Sequence, residues 1–205
     1  MEVLTFCPRD YFGSNTHILF SADECAVIDP SVNYSELRSL IEQKGSSVKY
    51  IILTHGHFDH ILKIDSWVNN TDAKVLVGSG DGPMLSDSYL NCYKSFLGID
   101  RGYFGDFIAV NEFDSFELGE EKFRIIETPG HSPGSVSILF DDTVFVGDTV
   151  FADGGVGRYD LPGNNVFHLQ RSIEKLLSLP EQTKVYCGHG KATTIEQLKT
   201  KINFI

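Results

Sequence analysis

The sequence predicts one domain of the α+β class. Three observations carry that expectation. Short runs of β-branched and aromatic residues recur along the chain, punctuated by turn residues. Only a few segments show helical periodicity, and 205 residues suffice for one well-filled core but are short for two.

The elements follow in order. Thr16 to Phe20 and Cys25 to Ile28 flank Ser21-Ala22-Asp23-Glu24 and read as a hairpin, stopped by Asp29-Pro30-Ser31. Tyr34 to Lys44 reads as a helix, with Leu37, Leu40 and Ile41 on one face and Gly45 as its stop. Val48 to Leu53 is almost continuously apolar, as a strand buried on both faces would be. Ala73 to Val77 is a further strand. Gly78 to Gly105 is irregular and rich in glycine and aromatic residues, and loops of that length commonly line binding sites. It is therefore expected on the rim of a pocket. Phe123 to Glu127, Val136 to Phe140 and Thr143 to Val146 are strands, the last two joined through Asp141-Asp142. Asn165 caps a helix running to Leu179, whose stripe of Leu169, Ile173, Leu176 and Leu177 is core. Val185 to Cys187 closes the strand set, and Thr194 to Ile202 is a short last helix.

Composition narrows the function. The net charge of −11 repels phosphate backbones and anionic lipid, so nucleic acid and membranes are poor partners. A small anionic substrate remains open if the site carries its own positive charge. The first 15 residues lack a basic start and apolar stretch, and no apolar run approaches the ~18 residues of a membrane span. Cys7, Cys25, Cys92 and Cys187 show no C-x-x-C pairing and read as free thiols. A cytoplasmic protein is expected.

The chemistry concentrates in Thr54-His55-Gly56-His57-Phe58-Asp59-His60, directly after the Val48 to Leu53 run. On a continued strand, His55, His57 and Asp59 would share one face while His60 pointed away. A loop can turn all four inward, and Gly56 removes a side chain that could obstruct this. Imidazole and carboxylate suit zinc, iron or manganese. The bland alternative is a solvated loop, but three of the chain's seven histidines fall inside it. Three further positions fit. His131 lies in Thr128-Pro129-Gly130-His131-Ser132-Pro133-Gly134-Ser135, a stiff loop after a strand. Asp148 ends the strand Thr143 to Val146, and His189 sits between Gly188 and Gly190 after the last strand. Singly, each reads as a turn or cap. Together they repeat one theme, ligand-type residues at the ends of buried strands. His17 and His168 lie outside the pattern and read as strand and helix residues.

T-H-x-H-x-D-H, then G-H-S-P-G-S, G-D and G-H-G, in this order, resembles the metallo-β-lactamase superfamily over most of the chain. The resemblance implies a four-layer αβ/βα sandwich of two mixed sheets with the metals at one edge. Within the superfamily, the sequence is similar to glyoxalase II and its short, single-domain relatives. That likeness implies one ion on His55, His57 and His131, a second on Asp59, His60 and His189, and Asp148 bridging both. Zinc is the expected ion, with iron or manganese as alternatives. The implied reaction is hydrolysis of an S-acylglutathione-type thioester by a bridging hydroxide, with Asp59 and Asp148 as the catalytic carboxylates.

In that family the position of Arg158 is basic and holds a glutathione carboxylate, so Arg158 and Tyr159 are the expected substrate-binding residues. The competing role for Arg158 is bracing the loop through Asp160. The chain departs from glyoxalase II in two places. Only 16 residues follow His189, so the helical domain that completes the glutathione site is not expected, and Cys187 stands where proline is usual. The alternative reading is a mononuclear iron persulfide dioxygenase using His55, His131 and Asp148. Such enzymes usually end in A-H-D and lack the Pro-Gly-Ser tail, so Ser132 to Ser135 and Gly188 to Gly190 favour a hydrolase. Lactonases and β-lactamases share the fold, and a non-catalytic metal module would have lost some ligand.

Overall fold

The computed structural model describes residues 1–8 and 12–202. Among these, the strands form two six-stranded sheets. The first sheet runs in chain order through β1 (Glu2–Phe6), β2 (Thr16–Ser21), β3 (Glu24–Ile28), β4 (Ser47–Leu53), β5 (Lys74–Gly78) and β6 (Ile108–Val110). The second holds β7 (Ser115–Leu118), β8 (Glu121–Glu127), β9 (Val136–Phe140), β10 (Thr143–Gly147), β11 (Lys184–Cys187) and β12 (Thr193–Thr194), again each beside the next. Both sheets are mixed. β3 to β6 run parallel while β1, β2 and β3 alternate, and β10 and β11 are the parallel pair of the second sheet.

Period-two alternation on the central strands sorts side chains into layers. Ala26, Ile28, Tyr50 and Ile52 point inward and meet Phe123, Ile125, Ile138, Phe140 and Phe145 from the second sheet. Cys25, Val27, Ile51 and Leu53 point outward and are covered by Leu37 and Ile41 of α1 (Tyr34–Gln43) and by Ile64 and Trp67 of α2 (Ile64–Val68). On the far side, Leu139, Val144, Val146 and Val185 are covered by Leu176 of α4 (Val166–Leu177) and by Ile195 and Leu198 of α5 (Ile195–Lys201). The result is the expected four-layer αβ/βα sandwich. β4 is buried on both faces, which is why its sequence is continuously apolar.

Most expected elements are present, with small shifts at their ends. The hairpin pairs Ser21 with Glu24, leaving Ala22-Asp23 as its turn. The Asn165 side chain caps α4 by accepting from the His168 amide at 3.1 Å. The sequence reading passed over β1, α2, β6 and β7. These are sheet edges or single turns of three to five residues, too short for periodicity to register. All four cysteines are free. Among the described residues, no helix is long and apolar enough to cross a membrane.

This topology gathers the ligand loops. Parallel β3 and β4 end at one edge, as do parallel β10 and β11. β8 and β10 are each antiparallel to β9, so β8 ends at the same edge as β10. The two sheets are tied there by the Val136 amide, which donates to the Thr54 carbonyl at 2.8 Å.

Candidate metal centre

Seven side chains converge at that edge as two donor clusters. His55, His57 and His131 form one, and Asp59, His60, Asp148 and His189 the other, with the donor atoms of each cluster within 4.8 Å of one another. All seven residues singled out from the sequence are therefore brought together.

In the first cluster, His131 Nε2 lies 3.0 Å from His57 Nδ1 and 3.2 Å from His55 Nε2. Two bonds of about 2.0–2.1 Å to a tetrahedral zinc ion would set ligand atoms roughly 3.3 Å apart. Both separations are close to that spacing, and because Nδ1 of His55 and of His131 is occupied from behind, their facing Nε2 atoms would oppose lone pairs when both rings are neutral. In the second cluster, His189 Nε2 is 3.1 Å from Asp59 Oδ2 and 3.5 Å from Asp148 Oδ2. His60 Nε2 is 3.3 Å from Asp148 Oδ1, yet both atoms are buried without a hydrogen bond. Orphaned buried polar atoms of opposite character, side by side, are what a shared cation would satisfy. Asp148 Oδ2 also lies 3.9 Å from His131 Nε2, so this carboxylate stands between the clusters.

Three of the rings, those of His55, His60 and His131, are oriented from behind. His60 Nδ1 is 2.8 Å from Asp29 Oδ2, and Asp29 also accepts from the Thr54 amide at 2.8 Å and the Thr54 hydroxyl at 2.7 Å. His55 Nδ1 is 3.1 Å from that same hydroxyl, and His131 Nδ1 is 2.9 Å from the Arg158 carbonyl. These contacts leave Nε2 of His55, His60 and His131 as the inward lone pair. A second buried carboxylate, Asp81, joins the two histidine loops. It accepts from the Gly56 amide at 2.8 Å, the Ser132 hydroxyl at 2.6 Å and the Gly134 amide at 2.6 Å. Gly56 eases this approach of residues 81–84, since a Cβ there would stand 3.1 Å from Met84 Cβ, a tight contact. Its role is loop packing, not the clearing of space among ligands expected from the sequence.

Asp29 and Asp81 were missed. Asp29 had been read only as a strand stop, although it ends a strand as Asp148 does. Asp81 sits inside the irregular segment. That segment, expected on a pocket rim, packs against the ligand loop but contributes no residue to the lining of the cavity next to His189. The Phe58 amide donates to the Asn91 carbonyl at 2.8 Å, and the Phe58 ring stacks on Phe96 of α3 (Tyr93–Leu97) at 5.6 Å. Its aromatic residues divide, with Tyr93 and Tyr103 buried and Tyr89, Phe96 and Phe104 exposed.

Arg158 reaches both flanks. Its carbonyl orients His131, while its guanidinium lies 5.4 Å over the Phe96 ring and pairs with Asp160 at 2.8 and 2.9 Å. Tyr159, beside it, is exposed. A cavity of about 770 Å³ opens next to His189, lined by Phe151, Asp153, Lys191, Thr193 and Gln197 among others. His17 and His168 stand apart from the cluster in β2 and α4. Burial takes the His17 pKa down to about 4, with its ring 3.3 Å from the Cys187 carbonyl.

The clusters differ electrostatically. Burial, reinforced by the neighbouring rings, holds His55 well below the usual imidazole pKa and His57 at about 3. Burial opposes charge on His60 as well, but Asp29, Asp59 and Asp148 outweigh it and hold its pKa well above the usual value. His189 rises to about 9, because hydrogen bonds to Asp148 and Asp59 overcome its burial. Asp148 is in turn held well below the carboxylate range, as His60 and His189 outweigh its desolvation.

A pH dependence of metal loading follows. Without metal, His60 and His189 carry protons at pH 7 that a cation must displace, whereas His55 and His57 are already neutral. Loading of the Asp59/His60/His189 cluster should release protons and strengthen by about one to two orders of magnitude per pH unit from pH 6 to 8. Calorimetry at pH 6 in buffers of different ionisation enthalpy measures the release. A pH-independent second affinity would contradict this assignment.

The sequence pattern of the Metallo-beta-lactamase superfamily matches residues 9–189. The chain is 37% identical over 185 residues to the probable metallo-hydrolase YqgX of Bacillus subtilis (strain 168), covering 89% of this chain and 87% of that protein. It is 34% identical over 167 residues to a hydroxyacylglutathione hydrolase of Rhodospirillum rubrum, covering 80% of this chain and 57% of that longer protein. Among solved structures, BLEG-1 B3 metallo-beta-lactamase superposes with a TM-score of 0.87 at 32% identity, over 96% of this chain and 95% of that one. TTHA1623 in a di-iron-bound form superposes with a TM-score of 0.84 at 30% identity, over the whole of both chains. The two donor clusters, the layered fold and these matches agree: the chain belongs to the metallo-beta-lactamase superfamily and is a metal-dependent hydrolase.

Proposed function

We propose that the chain hydrolyses thioesters of the S-acylglutathione type. The observation that carries this reading is the complete pair of donor clusters with Asp148 between them. His55, His57 and His131 would hold one ion, Asp59, His60 and His189 the other, and Asp148 both. Two divalent ions there would supply a water ionised near neutral pH and a Lewis acid for the carbonyl oxygen. Zinc is the ion we expect, with iron or manganese as alternatives; the di-iron form of TTHA1623 keeps iron in view.

The chain's own groups do the rest. Asp59 and Asp148 would stay ionised beside the cations, and their carboxylate oxygens can hold and orient an attacking water by accepting its hydrogen bond. The buried rings of His55, His57, His60 and His131 wall off one side, while the half-exposed His189 leaves the other open to substrate. Addition of hydroxide to the thioester carbon and cleavage of the C–S bond releases a thiolate. A leaving group with a pKa near 8.5 needs no strong general acid, and no such acid stands in the cluster. The likeness to the Rhodospirillum rubrum hydroxyacylglutathione hydrolase supports a glutathione-type thiol. The test is anaerobic release of free thiol from S-lactoylglutathione by metal-loaded protein. Failure on all thioesters, with oxygen uptake on a persulfide, would replace the proposal with a dioxygenase. The likeness to BLEG-1 favours β-lactams as the second substrate class to assay.

Arg158 and Tyr159 are the proposed substrate contacts. The Arg158–Asp160 pair is exposed, with side-chain accessibilities of 54% and 63%, so solvent screens it and it can yield to a substrate carboxylate. Arg158→Ala should raise KM for glutathione thioesters about tenfold and leave kcat within about threefold. An unchanged KM would confine the guanidinium to bracing its loop.

A further inference from the structure

Asn15 is not a ligand, yet it grips the turn that carries one. It is buried just before β2, and its side-chain Nδ2 donates to the Cys187 carbonyl at 3.1 Å and the Gly190 carbonyl at 3.0 Å. Its amide donates to the Gly188 carbonyl at 2.7 Å. Three of the four carbonyls from Cys187 to Gly190 thus rest on one residue. The Cys7 thiol donates to Asn15 Oδ1 at 3.2 Å, which fixes the amide with its NH₂ group toward the turn. The preceding residue, Ser14, donates to the Asp59 carbonyl from its amide at 3.3 Å and its hydroxyl at 3.2 Å. One dipeptide therefore bonds the carbonyls on either side of His189 and, together with the Ser31 hydroxyl, the carbonyl of Asp59; the two residues come from different sheets and their side chains meet at 3.1 Å.

His189 depends on its backbone more than His55, His60 and His131 do. His55, His60 and His131 are held through their rings by Thr54, Asp29 and the Arg158 carbonyl. Among the described residues nothing bonds His189 Nδ1, its side chain is 40% accessible, and its two glycine neighbours offer no packing. We propose that Asn15 is the positioning residue of the second metal subsite, setting the His189 imidazole at the separation from Asp59 that a divalent ion requires. This rests on the two-metal reading of the site and is independent of the substrate.

The test compares wild type, Asn15→Ala and Asn15→Ser. Holoprotein is stripped with a chelator and reloaded with Co(II), following both binding steps by calorimetry and by the visible spectrum. Both variants retain the backbone bond to Gly188 and lose the two side-chain bonds; Asn15→Ser keeps a short polar side chain in the buried position and serves if Asn15→Ala does not fold. The expected result is an unchanged first step and a second step weakened about 10- to 100-fold, with an altered Co(II) spectrum for that step only. Hydrolysis should return toward the wild-type kcat in excess metal. Unchanged affinity at both steps, or equal weakening of both, overturns the proposal. A single binding step in the wild type would overturn the two-metal reading itself, and the proposal with it.

Discussion

Asp59→Ala and His189→Ala should each lower the proposed thioester hydrolysis about a thousandfold and leave one bound ion per chain instead of two. The size follows from geometry. Asp59 Oδ2 and His189 Nε2 lie 3.1 Å apart, and removing either leaves the second cluster one donor short. The first cluster, with its three buried rings, stays intact, so the variants should fold and keep one ion. Elemental analysis after gentle purification, paired with thiol release, measures both effects. A mononuclear enzyme using only His55, His131 and Asp148 predicts much milder losses. Wild-type protein that saturates at one ion with metal in excess would end the dinuclear account.

Gly188→Ala comes close behind, at about a hundredfold in kcat/KM, from a single added methyl group. A Cβ at residue 188 would stand 2.2 Å from Asp148 Oδ1 and 2.6 Å from His60 Cε1, so carboxylate or ring must move. Misplacing a catalytic group by about 1 Å costs rate far out of proportion to the strain, which overpacking data put at about 1–3 kcal/mol. Gly190→Ala is the contrast. Its φ of +77° disfavours a side chain, but a Cβ there meets nothing within 4 Å. It should cost about 1 kcal/mol of stability and keep two ions. Thermal melting with metal analysis separates the two, and equal metal content in both variants would show that the crowding at residue 188 is absorbed elsewhere.

The sequence by itself determined the inventory of candidate ligands and the central strands. Ligand identity is local chemistry: histidine and aspartate types at the ends of apolar runs, with His55, His57, Asp59 and His60 packed into one loop. The β4 run and the α4 stripe were likewise legible, because burial on both faces and burial on one face leave different periodicities over ten residues or fewer. Only the tertiary structure decided what orients the ligands. Asp29 meets His60 across 31 residues of chain, Asp81 meets Ser132 across 51, and Asn15 meets Cys187 across 172. No local pattern marks such partners, since a buried aspartate that accepts three hydrogen bonds looks in sequence like any turn aspartate. The same holds for Arg158, whose sequence left two roles open and whose pairing with Asp160 and stacking on Phe96 appear only once the loops are packed. The physical reason is that hydrogen-bond partners of metal ligands are chosen by where two sheets bring their strand ends together, and that meeting is a property of the fold.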